Sequence, residues 1–138
     1  MELDELDKKI LDHLNKDSRI SYTSLADKMD ISDVAIKKRI DKLIDQGVIE
    51  RFSISIDHKK IGQPLKAFIL VKTIPSEAHQ VNEELKKMRN VSRLFSTIGS
   101  YDTLIEITCK DIDELKSLTD ENIGNLRGVT DVRTLVVV

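Results

Sequence analysis

The chain has 138 residues, 33% charged and 40% hydrophobic, which excludes a disordered chain and, without long apolar segments, a membrane protein. Its acidic start after Met1 lacks the basic and then apolar pattern of a secretory signal, so we expect a soluble cytoplasmic protein without a membrane partner. The net charge is −2, whereas DNA-binding domains are usually basic, so attraction to nucleic acid requires a local cluster of positive charges.

The first fifty residues have the apolar spacing of three short helices. Residues 3–15 carry apolar side chains three and four positions apart, which predicts the first helix. Ser21 is a good N-cap for a second helix of about eight residues, and Ser32 caps a third that ends at Gly47. The tight turn before Ser32 predicts a helix-turn-helix, in which the third helix enters the major groove of DNA. The inward-facing positions of that helix are Ile36, Ile40 and Leu43.

The other positions of the third helix are the candidate DNA contacts. Ser32 offers a hydroxyl and the N-terminal amides to a phosphate, and Val34 and Ala35 suit thymine methyl groups. Lysines suit phosphates or guanine, a base contact being worth ~1–3 kcal/mol of discrimination, whereas Asp33 would repel phosphate or accept from cytosine. Four basic residues against Asp41 form a local cluster of net charge +3. The predicted DNA-binding residues are Ser32, Asp33, Val34, Ala35, Lys37, Lys38, Arg39 and Lys42.

Simpler interpretations of the same residues stay open. A lysine-rich stretch is often only the solvated face of a helix, and any helix can use a serine cap such as Ser32. Arg39 can pair with a nearby carboxylate, Asp12 or Asp45, instead of contacting DNA. The order of three helices favours the DNA-binding interpretation of the whole set.

The apolar spacing changes to two after the third helix. This period predicts a half-buried strand over residues 48–56. The polar residues 58–64, which include a glycine and a proline, form the predicted linker. We therefore predict a helix-turn-helix domain with its following strand over residues 1–57 and a second domain over residues 65–138.

The second domain shows the order strand, helix, strand, strand, helix, strand. Ser76 is the predicted cap of its first helix, and Asp111 with Glu114 gives the second a capping-box-like start. This order predicts an α+β protein whose C-terminal domain is a βαββαβ ferredoxin-like sandwich, with two helices on one face of an antiparallel sheet. The predicted strands are residues 65–74, 91–98, 103–109 and 129–138.

The predicted strands carry more apolar side chains than one helix-covered face requires. An exposed apolar sheet face marks a partner surface or a ligand groove, so we predict a homodimer formed through the second domain. A dimer of helix-turn-helix units requires palindromic double-stranded DNA. The single cysteine, Cys109, excludes an internal disulfide and a cysteine-based metal site, and we expect it to be buried.

Short motifs lie along the whole chain in a fixed order. They are Leu3-Asp4, Asp7, Ile10-Leu11, Leu14, Ser18-Arg19-Ile20-Ser21, Leu25-Ala26, Ile31-Ser32, Arg39-Ile40, Leu43, Gly47-Val48-Ile49, Gly99-Ser100-Tyr101-Asp102 and Gly128-Val129. Together they resemble the Lrp/AsnC family of leucine-responsive and asparagine-responsive regulators. The resemblance implies a winged or simple helix-turn-helix followed by an effector-binding (RAM-type) module, with dimers built through that module and often assembled into octamers of four dimers.

The resemblance also implies an effector site. Amino acids or related small molecules would bind between subunits near the hairpin of Gly99, Ser100, Tyr101 and Asp102. Gly99 would let the backbone approach closely and offer an amide to a carboxylate, and Asp102 would hold an α-ammonium group. The alternative is a plain hairpin turn in which Asp102 satisfies backbone amides.

Two other functions compete with DNA-binding regulation. The chain could be a ligand-sensing module without DNA binding, or an enzyme, since sirohaem decarboxylases resemble this family in fold. An enzyme of that kind would need basic or histidine side chains lining a cleft, whereas His13, His58 and His79 are scattered over two predicted helices and the linker. No catalytic set, phosphate loop or metal-ligand spacing is present in the sequence. We therefore expect no enzyme, no catalytic residue, no metal and no cofactor beyond a possible amino-acid effector.

Overall fold

The computed structural model describes residues 2–138, which divide into two units between Ser55 and Ile56. The first unit contains three helices: α1 (Glu5–Lys16), α2 (Tyr22–Met29) and α3 (Asp33–Asp45). The three predicted helices are thus confirmed, including the eight-residue length of the second. Their apolar faces meet in one core, whose fully buried residues are Ile10, Leu25, Ile36, Ile40 and Leu43.

Local hydrogen bonds set the ends of these helices. Ser21 accepts a hydrogen bond from the amide of Ser24, and Ser32 accepts one of 3.1 Å from the amide of Ala35, so both predicted caps are confirmed. Between them Asp30 adopts the left-handed conformation, with φ of 55°, and turns the chain from α2 into α3. This short turn fixes the direction in which α3 leaves α2.

The strand predicted over residues 48–56 is wrong. The amides of Val48 and Ile49 instead donate to the carbonyl of Leu43 and close the end of α3. Beyond them, up to residue 57, the chain forms no helix or strand, and no strand within residues 2–138 pairs with it. Its apolar residues Phe52 and Ile54 are exposed. Alternation of apolar and polar residues is not sufficient for a strand, because a strand also needs a hydrogen-bonded neighbour.

The second unit has the predicted βαββαβ order. Its elements are β1 (Leu65–Thr73), α4 (Ala78–Lys87), β2 (Val91–Ser96), β3 (Thr103–Cys109), α5 (Ile112–Ser117) and β4 (Val129–Val136). The four antiparallel strands form one sheet in the order β2-β3-β1-β4. The ferredoxin-like α+β fold is therefore confirmed.

Both helices of this unit start or end differently from the prediction. Ser76 does not cap α4, because Pro75 opens a single 3₁₀ turn, Pro75–Glu77, which leads into the helix. At α5 the Asp111 side chain accepts the amide of Glu114 as expected. The helix then widens into a π-helical turn, Leu118–Ile123.

The two faces of the sheet differ in what covers them. One face packs against the helices, and Ile69, Ile105 and Cys109 are fully buried there, which confirms the expectation for the cysteine. On the other face, strand register places apolar side chains opposite one another, and we call this set the open face of the sheet. It comprises Phe68, Leu70, Phe95, Leu104 and Leu135.

No helix in residues 2–138 is long and apolar enough to cross a membrane.

Candidate nucleic-acid interface

The exposed side of α3 forms a shallow concave surface opposite the buried Ile36 and Ile40. We call it the outer face of α3, and it is lined by Val34, Lys37, Lys38, Asp41, Lys42, Asp45 and Gln46. Ser32 and Asp33 are exposed at its N-terminal end, and Ala35 is half-buried beside them. The Asp33 carboxylate accepts the amide of Val34 at 2.9 Å, so it helps to cap the helix. The structure therefore gathers most of the predicted DNA-binding residues on one helix face.

Lys37 does not stand alone on this face. Its ammonium lies 2.6 Å from the Asp41 carboxylate one turn later, and the hydrogen bond raises the pKa of Lys37 above its usual value. Lys38 and Lys42 form no ion pair within the described chain. With three lysines and two aspartates, the outer face has a net charge of +1 rather than the +3 expected for the cluster.

Asp45, which was not part of the cluster, accounts for one of these two charges. Arg39 accounts for the other, because its guanidinium is bound to α1. Nη1 lies 2.7 Å from a carboxylate oxygen of Asp4 and 2.9 Å from one of Asp7. Asp4 also caps α1. Hydrogen bonds from the Asp7 amide and from Arg39 lower the pKa of the Asp4 carboxyl group. A carboxylate partner was one of the two alternatives for Arg39, but the expected partners, Asp12 and Asp45, were wrong.

The hairpin of residues 99–102 is fastened to its neighbours. The Asp102 Oδ2 atom accepts the amide of Thr73 at 2.8 Å and its hydroxyl at 3.3 Å, while the Asp102 amide donates to the Val71 carbonyl. This is the structural role weighed for Asp102, and it uses one of the two carboxylate oxygens. Gly99 has φ of +147° and open space where a side chain would stand, so its backbone is accessible. Ser100 is exposed.

Tyr101 brings β4 to the hairpin. Its hydroxyl donates a 2.7 Å hydrogen bond to Asp131, which raises the pKa of the tyrosine and lowers the pKa of the aspartate. The Arg133 guanidinium lies 5.8 Å from the centre of the tyrosine ring. Asp131 and Arg133 therefore lie beside the four hairpin residues. The sequence did not predict these two contacts, because no spacing rule links residues about thirty positions apart.

A buried carboxylate interrupts the open face of the sheet. Glu106 lies opposite Phe68 and binds Arg93 on β2 and Lys66 on β1. These two cations, Arg93 foremost, lower the pKa of Glu106 to about 2. The carboxylate is therefore charged at neutral pH and compensated from both sides. An apolar surface with one satisfied ion cluster is suited to be covered by another protein surface.

Two family models match the chain. Residues 3–50 match a winged helix-turn-helix DNA-binding model, and residues 66–138 match the Lrp/AsnC ligand binding domain. The HTH-type transcriptional regulator LrpA of Pyrococcus abyssi is 36% identical over 135 residues, which cover 98% of this chain and 96% of LrpA.

Solved structures are similar over nearly the whole chain. Escherichia coli AsnC has a TM-score of 0.88 at 25% identity and covers 99% of this chain and 93% of its own. A transcriptional regulator of Neisseria meningitidis, solved as a complex with L-methionine, has a TM-score of 0.92 and covers 99% of this chain and 90% of its own. Its identity is 22%, so that likeness concerns the fold alone.

Proposed function

The chain belongs to the Lrp/AsnC family and is a DNA-binding transcriptional regulator, not an enzyme, and we propose that it reads DNA with the outer face of α3. The supporting observation is the exposed position of Val34, Lys37, Lys38 and Lys42 on one face of the second helix of a helix-turn-helix. The first turn, with Ser32, offers amides to a phosphate and apolar atoms to thymine methyl groups. Because its target is chromosomal DNA, we expect it to act in the cytoplasm.

The proposed active form is a homodimer. A second copy of the chain would cover the open face of the sheet, where Phe95 and Leu135 are exposed and the other apolar side chains are half-buried. Two-fold symmetry then presents two α3 helices to half-sites about 34 Å apart, so the operator is palindromic. Assembly of four such dimers into an octamer stays a prediction.

Replacing Lys37 and Lys38 by alanine is expected to abolish specific binding. Each lost phosphate contact makes the dependence of log affinity on log salt shallower by about 0.9, so a dimer loses up to about 3.6. At 0.1 M salt we expect the affinity to fall at least about 100-fold. The measurement is fluorescence anisotropy at several salt concentrations, with an operator selected from random DNA.

The matched control for this experiment is the pair Lys86→Ala and Lys87→Ala. These two lysines lie on α4, are exposed and pair with Glu83 and Glu84, so the variant changes the net charge equally. It should keep the affinity and the salt slope of the wild-type chain. If the two double variants behave alike, the outer face of α3 does not contact DNA.

We further propose that an amino acid modulates the regulator at the hairpin. The Asp102 Oδ1 atom has no hydrogen-bond partner among residues 2–138, so it can accept an α-ammonium group while Oδ2 keeps its bonds to Thr73. The Gly99 amide suits the carboxylate. The L-methionine bound to the Neisseria meningitidis protein supports amino acids as the ligand class.

A thermal-shift screen of the amino acids tests this effector site. A ligand present at 100 times its Kd should stabilise the chain by about 2.7 kcal/mol, and Asp102→Asn should remove that response. Thr73→Val is the control, because it removes the hydroxyl bond to Asp102 but keeps the carboxylate. A response lost equally in both variants, or absent from the wild-type chain, would mean that the hairpin is only structural.

A further inference from the structure

We propose that Asp41 weakens the attraction of α3 for DNA phosphates by binding the ammonium group of Lys37 in the free protein. The proposal rests on the proposed role of the outer face of α3 and adds to it a residue that tunes affinity. It concerns a carboxylate placed among the lysines that would contact DNA.

The geometry of the pair fits a contact that DNA can replace. Lys37 Nζ and Asp41 Oδ2 are 2.6 Å apart, yet the side chains keep 61% and 48% of their surface exposed. A phosphate oxygen can therefore reach the ammonium group and compete for it. Since the carboxylate also raises the pKa of Lys37, the lysine stays charged throughout the pH range of DNA binding.

Helix stability gives little reason for this pair. Exposed ion pairs stabilise proteins only slightly, and the order of acid before base along a helix is the better one. Here the order is reversed, with Lys37 before Asp41. A negative charge interacts favourably with the helix dipole only in the first turn of a helix. Asp41 lies beyond the first turn of α3, so it gains no such stabilisation.

The cost of the pair falls on DNA binding. Lys37 must leave Asp41, or share it, before it can bind a phosphate. The carboxylate then remains on the same helix face, where it repels neighbouring phosphates within a Debye length of about 10 Å. Of the three lysines on this face, one is thus held back in the free protein.

The experiment compares Asp41→Asn with Asp45→Asn, each with and without Lys37→Ala. Asp45 lies one turn further on the same outer face and pairs with no lysine in the described chain, so its variant removes an equal charge without releasing one. Anisotropy titrations with the operator across salt concentrations measure affinity and slope, and thermal melting checks that all variants fold.

We expect Asp41→Asn to tighten binding at 0.1 M salt by about 5- to 10-fold for each protomer and to steepen the salt slope by up to about 0.9 for each protomer, which is the part of the Lys37 contact that Asp41 suppresses in the wild-type chain. Asp45→Asn should tighten it less and leave the slope almost unchanged. In the Lys37→Ala background the two aspartate variants should have equal effects on affinity and salt slope, because Asp41 then has no lysine partner to release.

Three results would overturn the proposal. Asp41→Asn could match Asp45→Asn, keep its larger effect without Lys37, or weaken binding, which would make Asp41 itself a DNA contact. Failure of the proposed reading surface looks different, since Lys37→Ala would then leave affinity and slope unchanged whether residue 41 is aspartate or asparagine.

Discussion

Replacing Arg39 by methionine is expected to destabilise the helical unit while leaving the number of phosphate contacts unchanged. The guanidinium compensates Asp7, whose side chain is only 9% exposed, and without it that carboxylate stays buried and unpaired. Breaking a fully buried pair costs ~3–5 kcal/mol. Because Arg39 keeps 29% of its surface exposed, we expect a smaller loss, of about 2–3 kcal/mol. Hydrogen exchange of the α3 amides measures the opening of this unit.

Lys38→Met is the matched control on the neighbouring position. Lys38 is exposed and forms no ion pair within the described residues, so its loss should leave hydrogen exchange unchanged and make the salt slope of DNA binding shallower by about 0.9 per protomer. Arg39→Met should do the opposite. A shallower salt slope in Arg39→Met, with unchanged exchange, would make Arg39 a phosphate contact after all.

A double-mutant cycle with Asp7→Asn isolates the ion pair. Asp7 also completes the capping box of α1 with Asp4, so the single variant Asp7→Asn loses more than its contact to Arg39. Each single variant removes the same contact between Arg39 and Asp7. The double variant should therefore lose less stability than the sum of the two single losses. Additive losses would mean that the two side chains do not stabilise each other.

The sequence predicts the parts of this structure that local interactions decide. Ser21 and Ser32 cap their helices because a hydroxyl three residues before an amide needs no help from the rest of the fold. The strand β3 was predicted with its exact bounds, since its apolar run ends at a turn on each side. The i, i+4 spacing of Lys37 and Asp41 is also that of an ion pair on a helix, although the sequence prediction used Asp41 only in the net charge of the cluster.

Contacts between distant residues explain the errors. Arg39 finds Asp4 and Asp7 more than thirty residues earlier, and no spacing rule distinguishes these carboxylates from Asp12. The segment around Phe52 has no hydrogen-bonded partner strand among residues 2–138, and alternation alone does not supply one. The wrong partners for Arg39 and the wrong strand have the same cause, because the sequence of one segment does not specify which other segment it contacts.

The charge on α3 makes the proposed dimer the deciding step for affinity. With a net charge of +1 on its outer face, one α3 helix has few contacts to offer a duplex. Two helices held at a fixed distance double the contacts, and the second binds at the high effective concentration that the dimer imposes. A variant that separates the protomers should therefore remove specific binding without any change in α3.

Leu135→Glu is expected to separate the protomers. Leu135 lies opposite Phe68 on the open face of the sheet and is 55% exposed, so glutamate is tolerated in the single chain. In a two-fold dimer the substitution occurs twice and buries two unpaired carboxylates, at several kcal/mol each. Since each 1.4 kcal/mol is a factor of ten, the Kd of the dimer should rise at least about 1,000-fold. Analytical ultracentrifugation measures it, and affinity for a palindromic operator should fall to that for a half-site.

Ile112→Glu is the matched control. Ile112 starts α5, in the helix layer that covers the other face of the sheet, and it is exposed to a similar degree, 52%. The same change in charge at equal exposure should leave the dimer and its DNA affinity intact. A wild-type chain that sediments as a monomer would contradict the proposed dimer. A dimer that dissociates with Ile112→Glu and persists with Leu135→Glu would place the partner surface elsewhere. Because both variants retain α3 unchanged, any difference in DNA affinity between them reports on the assembly rather than on the reading helix.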